Sequence, residues 1–156
     1  MPYEPGVSNM RALGFAIAGS GMVAGVHAAA LQEIPETELV GVWSHTAEKT
    51  RRFSERYHIR NYETYEDLLS DPDVAGVIIC LPSGCHAEYG VKAAASGRHV
   101  IVEKPIDVSV TKAKALIEAC RKNRVKLSVI FQYRFTPAAQ KIKRTIDQEL
   151  LGRLIL

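Results

Sequence analysis

A lysine that directly follows an apolar run and precedes a proline, Glu103-Lys104-Pro105, is the residue best placed to do chemistry. The run before it, HVIV at 99–102, reads as a buried strand, which does not suit a solvated surface charge. Near a substrate hydroxyl, Lys104 can donate a hydrogen bond or shuttle a proton, with a pKa that burial can tune. Glu103 can position it, and Pro105 fixes the turn. A second constellation, Gly19-Ser20-Gly21-Met22-Val23-Ala24, spells GxGxxA between an apolar run and a helical pattern. Gly19 permits a tight turn, Gly21 lets a pyrophosphate approach the backbone, and Ala24 allows close helix–strand packing. The free N–H groups and positive end of the following helix then hold phosphates. The bland alternative is a merely structural glycine turn.

Three further strand ends carry polar residues. After the second apolar run stand Ser44-His45-Thr46, where an NAD-preferring site would show Asp or Glu; the next acid is Glu48. Ser44 can donate to a 2′-phosphate, and His45, Lys49 or Arg51 can neutralise it, which favours NADP over NAD. Alternatively Ser44 simply caps the helix and either cofactor binds. After the fourth run come Leu81-Pro82-Ser83-Gly84-Cys85-His86. Pro82 stiffens the chain there, while His86, like His27 one turn into the first helix, reads equally as ligand contact or structural histidine. After the sixth run, Gln132, Tyr133 and Arg134 extend the same edge. Arg134 can bind a phosphate or carboxamide, or merely pair with an acid.

The elements that must position these residues alternate. Strands are expected at 12–18, 39–43, 61–62, 76–81, 99–102 and 127–131, and helices at 22–33, 46–57, 64–70, 85–96, 109–123 and 137–150. Thr46 and Thr64 are expected helix caps, the latter opening a capping box with Asp67. Pro137 suits a first helical position. Such alternation means a doubly wound parallel sheet with helices on both faces, whose ligands sit at the carboxyl ends of the strands.

The chain has 156 residues, 47% apolar and 24% charged, one domain of ordinary globular composition rather than a disordered or low-complexity chain. Residues 1–10 read as a flexible leader, 11–150 as the dinucleotide-binding domain and 151–156 as the start of a second, truncated domain. Cys80, Cys85 and Cys120 are too few for a disulfide framework and have no zinc spacing, so no metal site is expected and a reducing, cytoplasmic setting is. The net charge of +3 hides an acidic front, with 8 Lys/Arg against 13 Asp/Glu through Glu103, and a basic tail, with 12 against 4 from Lys104. The basic segments RKNRVK and KIKR fall on or beside helices and read as solvated faces, so no nucleic-acid partner is expected. Residues 12–32 lack charge, but four glycines, Ser20 and His27 interrupt them, which argues against a signal peptide or a membrane span.

GSGMVAGVH after the first strand, CLPSGCHAEY after the fourth, VEKP after the fifth and FQYRF after the sixth together resemble the glucose–fructose oxidoreductase / inositol dehydrogenase / MocA (Gfo/Idh/MocA) family of NAD(P)-dependent oxidoreductases. The resemblance runs from about Leu13 across nearly the whole chain. It implies that Gly19, Ser20, Gly21, Met22 and Val23 line a pyrophosphate site, and that Leu81, Pro82 and His86 border the nicotinamide. It also implies that Glu103 and Lys104 reach nicotinamide and substrate, with Lys104 catalytic, and that Gln132 and Arg134 close the cofactor edge. A cis peptide before Pro105 is expected on the same ground.

The implied reaction moves hydride between the cofactor and a sugar, polyol or related alcohol. The family is about twice this length, and its second α/β domain carries the substrate pocket, an Asp/His pair and the usual homo-oligomer interface. The chain alone is therefore expected to bind cofactor with little turnover. The alternative is a non-catalytic module that senses a dinucleotide. A methyltransferase is disfavoured because the acid it usually carries after the second strand is absent.

Overall fold

LGFAIA forms the first strand, β1 (Leu13–Ala18), in a computed structural model that describes residues 12–152. The leader expected at 1–10 lies outside the described residues, as does most of 151–156. Along β1 the side chains alternate: Ala16 and Ala18 enter one core, and Ile17 enters the other, all three fully buried. A strand buried on both faces needs helices above and below it. The chain supplies them as α1 (Met22–Gln32), β2 (Thr37–Trp43), α2 (Ala47–Tyr57), β3 (Arg60–Asn61), α3 (Tyr65–Ser70), β4 (Gly76–Ile79), α4 (His86–Ala95), β5 (His99–Val102), α5 (Val110–Lys122), β6 (Leu127–Val129) and α6 (Pro137–Asp147).

The six strands form one sheet in the order β3-β2-β1-β4-β5-β6, and every neighbouring pair is parallel. The order reverses between β1 and β4, which opens a crevice at their carboxyl ends. One core packs α1 and α2 on Ile17, Val42 and Ile78, with Ala24, Ala28, Leu31 and Phe53 as the helical contributions. The other packs α3, α4 and α5 on Ala16, Val77, Val100 and Val102 through Leu68, Ala93, Ala94 and Leu116.

Boundaries differ from the sequence expectation where turn chemistry intervenes. The fourth strand ends at Ile79, not at 81, because a 3-10 turn at Ser83–Cys85 follows Pro82 and delays α4 to His86. The sixth ends at Val129, and a further 3-10 turn, Gln132–Phe135, takes up the polar residues beyond it. Thr64 and Asp67 form the expected capping box, whereas Thr46 stands at the head of α2 without a capping side-chain bond. Pro137 opens α6 behind Thr136, whose hydroxyl accepts from the Ala139 amide. The last helix stops at Asp147, three residues short of expectation, and buries none of its side chains. Among the described residues no helix is long and apolar enough to cross a membrane, and no group of three or more His, Cys, Asp or Glu is placed to hold a metal.

Candidate functional site

The site begins where β1 turns into α1. Gly19 has φ +122°, and a Cβ there would lie 2.5 Å from the Cys80 carbonyl oxygen, so only glycine fits. Two residues on, Gly21 is the N-cap of α1, with φ −83° and no protein atom within 4 Å of where a Cβ would stand. That space lies over a helix N-terminus with no side-chain cap and no acid in its first turn. Free amides, the positive end of the helix dipole and open space above them fit a pyrophosphate. Met22 and Val23 are exposed on that turn, while Ala24 is fully buried against the sheet, as close helix–strand packing requires.

At the end of β2, Ser44 is held in a line of hydroxyls. Its Oγ lies 2.8 Å from Ser20 Oγ and 2.6 Å from Thr50 Oγ1, and Thr50 in turn donates to the Thr46 carbonyl at 3.0 Å. Ser44 therefore ties the glycine turn to α2 instead of standing free. His45 Nε2 lies 3.1 Å from the Tyr89 hydroxyl, with its ring edge-on to Trp43 and Tyr89. Lys49 is exposed on the first turn of α2. Arg51, the other cation considered for a 2′-phosphate, is engaged by Glu48 and Glu55 along its own helix.

The ends of β4, β5 and β6 surround a cavity of about 710 Å³. His27 reaches it from α1, and its Nε2 lies 2.9 Å from Glu103 Oε1. The other oxygen, Glu103 Oε2, accepts from the Lys104 amide at 3.1 Å. Both oxygens of the carboxylate are thus engaged. Lys104 itself is exposed, forms no ion pair with a described carboxylate, and borders both this cavity and a second of about 490 Å³ walled by Phe131, Gln132, Tyr133 and Arg134. The Lys104–Pro105 peptide is cis, as expected.

His86 is 1% exposed, with Nδ1 2.7 Å from the Pro105 carbonyl and Nε2 2.7 Å from the Leu81 carbonyl. It therefore ties the β4 turn to the β5 turn. Asp107 completes this brace by accepting from the Ala87 amide at 3.0 Å and the Ser109 amide at 3.2 Å. Burial alone would raise the Asp107 pKa, but those amides and the nearby Lys112 outweigh it and hold the carboxyl below its usual value. Cys80, on the cavity wall, is pushed the other way: burial, and secondarily the Glu103 charge, raise its thiol to about 12.

Seven of the sequence-selected residues meet at the larger cavity: Val23, Leu81, His86, Glu103, Lys104, Gln132 and Arg134. The others lie outside its lining. Gly19, Ser20, Gly21 and Met22 form the glycine turn, Ser44, His45 and Lys49 stand beyond it at β2, and Pro82 lines neither cavity. The selection missed the apolar walls Val26, Phe131 and Phe135, the thiol of Cys80 and the brace at Asp107. His27 was ambiguous by sequence and is resolved by its partner, Glu103.

Comparison with known proteins agrees with this geometry. Residues 13–131 match the family model for the Gfo/Idh/MocA oxidoreductases, described as an oxidoreductase family with an NAD-binding Rossmann fold. The scyllo-inositol 2-dehydrogenase (NAD(+)) of Bacillus subtilis is 32% identical over 142 residues, which cover 90% of this chain and 42% of that enzyme. The WlbA dehydrogenase of Bordetella pertussis, solved with NADH and UDP-GlcNAcA, superposes with a TM-score of 0.89 at 27% identity, covering 92% of this chain and 42% of that one. KijD10, a 3-ketoreductase of Actinomadura kijaniata solved with NADP, gives 0.83 at 27% identity, covering 92% and 46%. The chain spans about two fifths of the length of the curated relatives it matches. With the glycine turn, the crevice and the Glu103-Lys104-Pro105 edge in one parallel sheet, the chain belongs to the Gfo/Idh/MocA oxidoreductase family and carries its NAD-binding Rossmann domain.

Proposed function

We propose that this domain holds NAD or NADP across the crevice for hydride transfer to or from a sugar, polyol or related alcohol. The carrying observation is the position of Lys104, exposed at the carboxyl edge of β5 where the two cavities adjoin, with the Glu103 carboxylate engaged by His27 and the Lys104 amide. When bound, the nicotinamide supplies or accepts the hydride. The glycine turn and the amides of α1 hold the pyrophosphate, while Leu81, His86, Gln132 and Arg134 bound the nicotinamide side. Lys104 donates to the substrate oxygen and carries its proton as the carbonyl and alcohol interconvert. Glu103, fastened to His27, keeps the floor of the cavity in place and leaves the ammonium to the substrate.

This assignment extends to a cytoplasmic enzyme that assembles as a homo-oligomer through a second domain. The 156-residue chain alone is expected to bind the dinucleotide with little turnover. The relatives named for inositol and sugar substrates support the substrate class. The test is calorimetry of this chain with NAD and NADP, followed by Lys104→Ala in a form long enough to be active. Binding of a dinucleotide, with turnover reduced at least a hundred-fold by the substitution, is expected. Failure to bind either dinucleotide refutes the site, and unchanged turnover refutes the role of Lys104. Dinucleotide binding without turnover in the active-length form would favour a sensing module.

A further inference from the structure

We infer that His86 acts as a charged clamp, a doubly protonated imidazolium that joins the Leu81 wall of the larger cavity to the turn after Lys104. The lysine edge then keeps its shape only while the ring holds both protons. The charge follows from the geometry of the ring, and only its effect on binding rests on the proposed dinucleotide site.

A neutral imidazole has one N–H to donate and one bare nitrogen that can only accept. A carbonyl oxygen can only accept. Both ring nitrogens of His86 face such oxygens, Nδ1 the Pro105 carbonyl and Nε2 the Leu81 carbonyl, each at 2.7 Å. Either neutral tautomer therefore bonds one carbonyl and sets a lone pair against the other at hydrogen-bond distance. Only the ring with two protons satisfies both, and bonds this short suit a charged donor. His86 is 1% exposed, so bulk water does not reach the ring to replace a partner. Burial opposes a charge, and a neighbouring carboxylate offsets that cost. Asp107 accepts from the amide of Ala87, the next residue, and its carboxyl lies below its usual value.

The clamp spans two walls of the proposed site. Leu81 lines the larger cavity, and Pro105 directly follows Lys104. The Lys104 backbone is thereby held on both sides, by Glu103 Oε2 at its amide and by His86 beyond Pro105. Loss of one ring proton turns one of the two bonds into a contact between acceptors, which opens the clamp at one turn or the other. The titratable groups around the ring are Asp107 and Lys112 on the α5 side, Cys85 in the preceding turn and Glu88 on the same helix. Across the cavity stand His27, Cys80, Glu103, Lys104 and Arg134. Histidine is the side chain whose charge changes near neutrality, and His27 touches Glu103, so its contribution is separated by substitution. Loss of one bond from a charged donor corresponds to about ten-fold in affinity.

The test is NMR of the 156-residue chain, isotope-labelled in its histidines and carbonyls. The His86 ring is assigned by its absence from His86→Gln or, should that variant not fold, by coupling across its bonds to the Leu81 and Pro105 carbonyls. At about pH 7.5, where a solvated imidazole is mostly neutral, both ring nitrogens should carry a proton. One protonated and one bare nitrogen overturns the inference. As the pH is raised and the ring loses a proton, the Leu81 and Pro105 carbonyl resonances should move with the same midpoint, and carbonyls that stay fixed overturn the clamp. Calorimetry with NAD across that step should show affinity falling about ten-fold, in the wild type and in His27→Gln alike. Unchanged affinity in the wild type, or a step abolished by His27→Gln, overturns the positioning role. If neither NAD nor NADP binds at any pH, the proposed cofactor site fails, and the ring and carbonyl resonances still decide whether His86 is a charged clamp.

Discussion

His27 and Glu103 stand 76 positions apart in sequence, and their side chains meet at 2.9 Å, joining the first helix to the end of the fifth strand. The same carboxylate receives the Lys104 amide. Helix α1, which presents the glycine turn, and the lysine edge are therefore fixed to each other by one side chain. His27→Ala should cost about 1–2 kcal/mol of stability, because it leaves a largely buried carboxylate with one partner fewer. Denaturant unfolding of the two proteins measures this, and equal midpoints would show that the contact contributes nothing.

Asp107 should make stability fall in acid. Its folded-state pKa lies below the ordinary value of 3.8, so the stabilisation is complete above that value and is lost as pH falls through the lower, folded one. Near neutrality Asp107→Asn should cost about 1 kcal/mol, typical of a carboxylate that caps a helix. The difference between the two proteins should shrink as the pH falls below about 4. A difference independent of pH from 7 to 3 would exclude the charge-assisted cap.

Cys80 should be inert in the folded protein. With its thiol raised to about 12 by burial and by Glu103, almost none is thiolate at pH 8. Iodoacetamide followed by mass spectrometry should label Cys80 only after denaturation. Labelling at the denatured rate under native conditions would mean that the cavity wall opens readily.

Periodicity and turn residues carried most of the fold, because five of the six strands lie in short, largely apolar runs that end at a glycine, a proline or a polar residue. Where runs overshoot, the reason is local. Cys80 and Leu81 continue the apolar pattern of β4, and Cys80 still donates its amide to the Ala18 carbonyl of β1, but the strand ends at Ile79 as the chain enters the Pro82 turn. Glycines and the Glu103-Lys104-Pro105 edge were legible as candidate site residues because their chemistry is written in adjacent positions. His27, Asp107 and Thr50 were not, since their roles come from partners brought near by the fold. A histidine in a helix, an aspartate after a turn and a threonine on a helix face all read as ordinary until Glu103, the Ala87 amide and Ser44 stand beside them.

The two glycines of the turn should separate folding from binding. At Gly19 a side chain would meet the Cys80 carbonyl at 2.5 Å and hold a φ of +122°, so Gly19→Ala should destabilise the domain by about 2 kcal/mol or more. At Gly21 the backbone lies in a region open to any residue, and no protein atom stands within 4 Å. Gly21→Val should therefore leave the unfolding midpoint within about 0.5 kcal/mol of wild type. The same isopropyl group fills the space over the free amides of α1, where a pyrophosphate would approach, and dinucleotide affinity should fall at least ten-fold. Thermal unfolding and calorimetry on both variants separate the two effects. If Gly21→Val bound NAD as well as wild type did, the open space at that turn would not be where the phosphates lie.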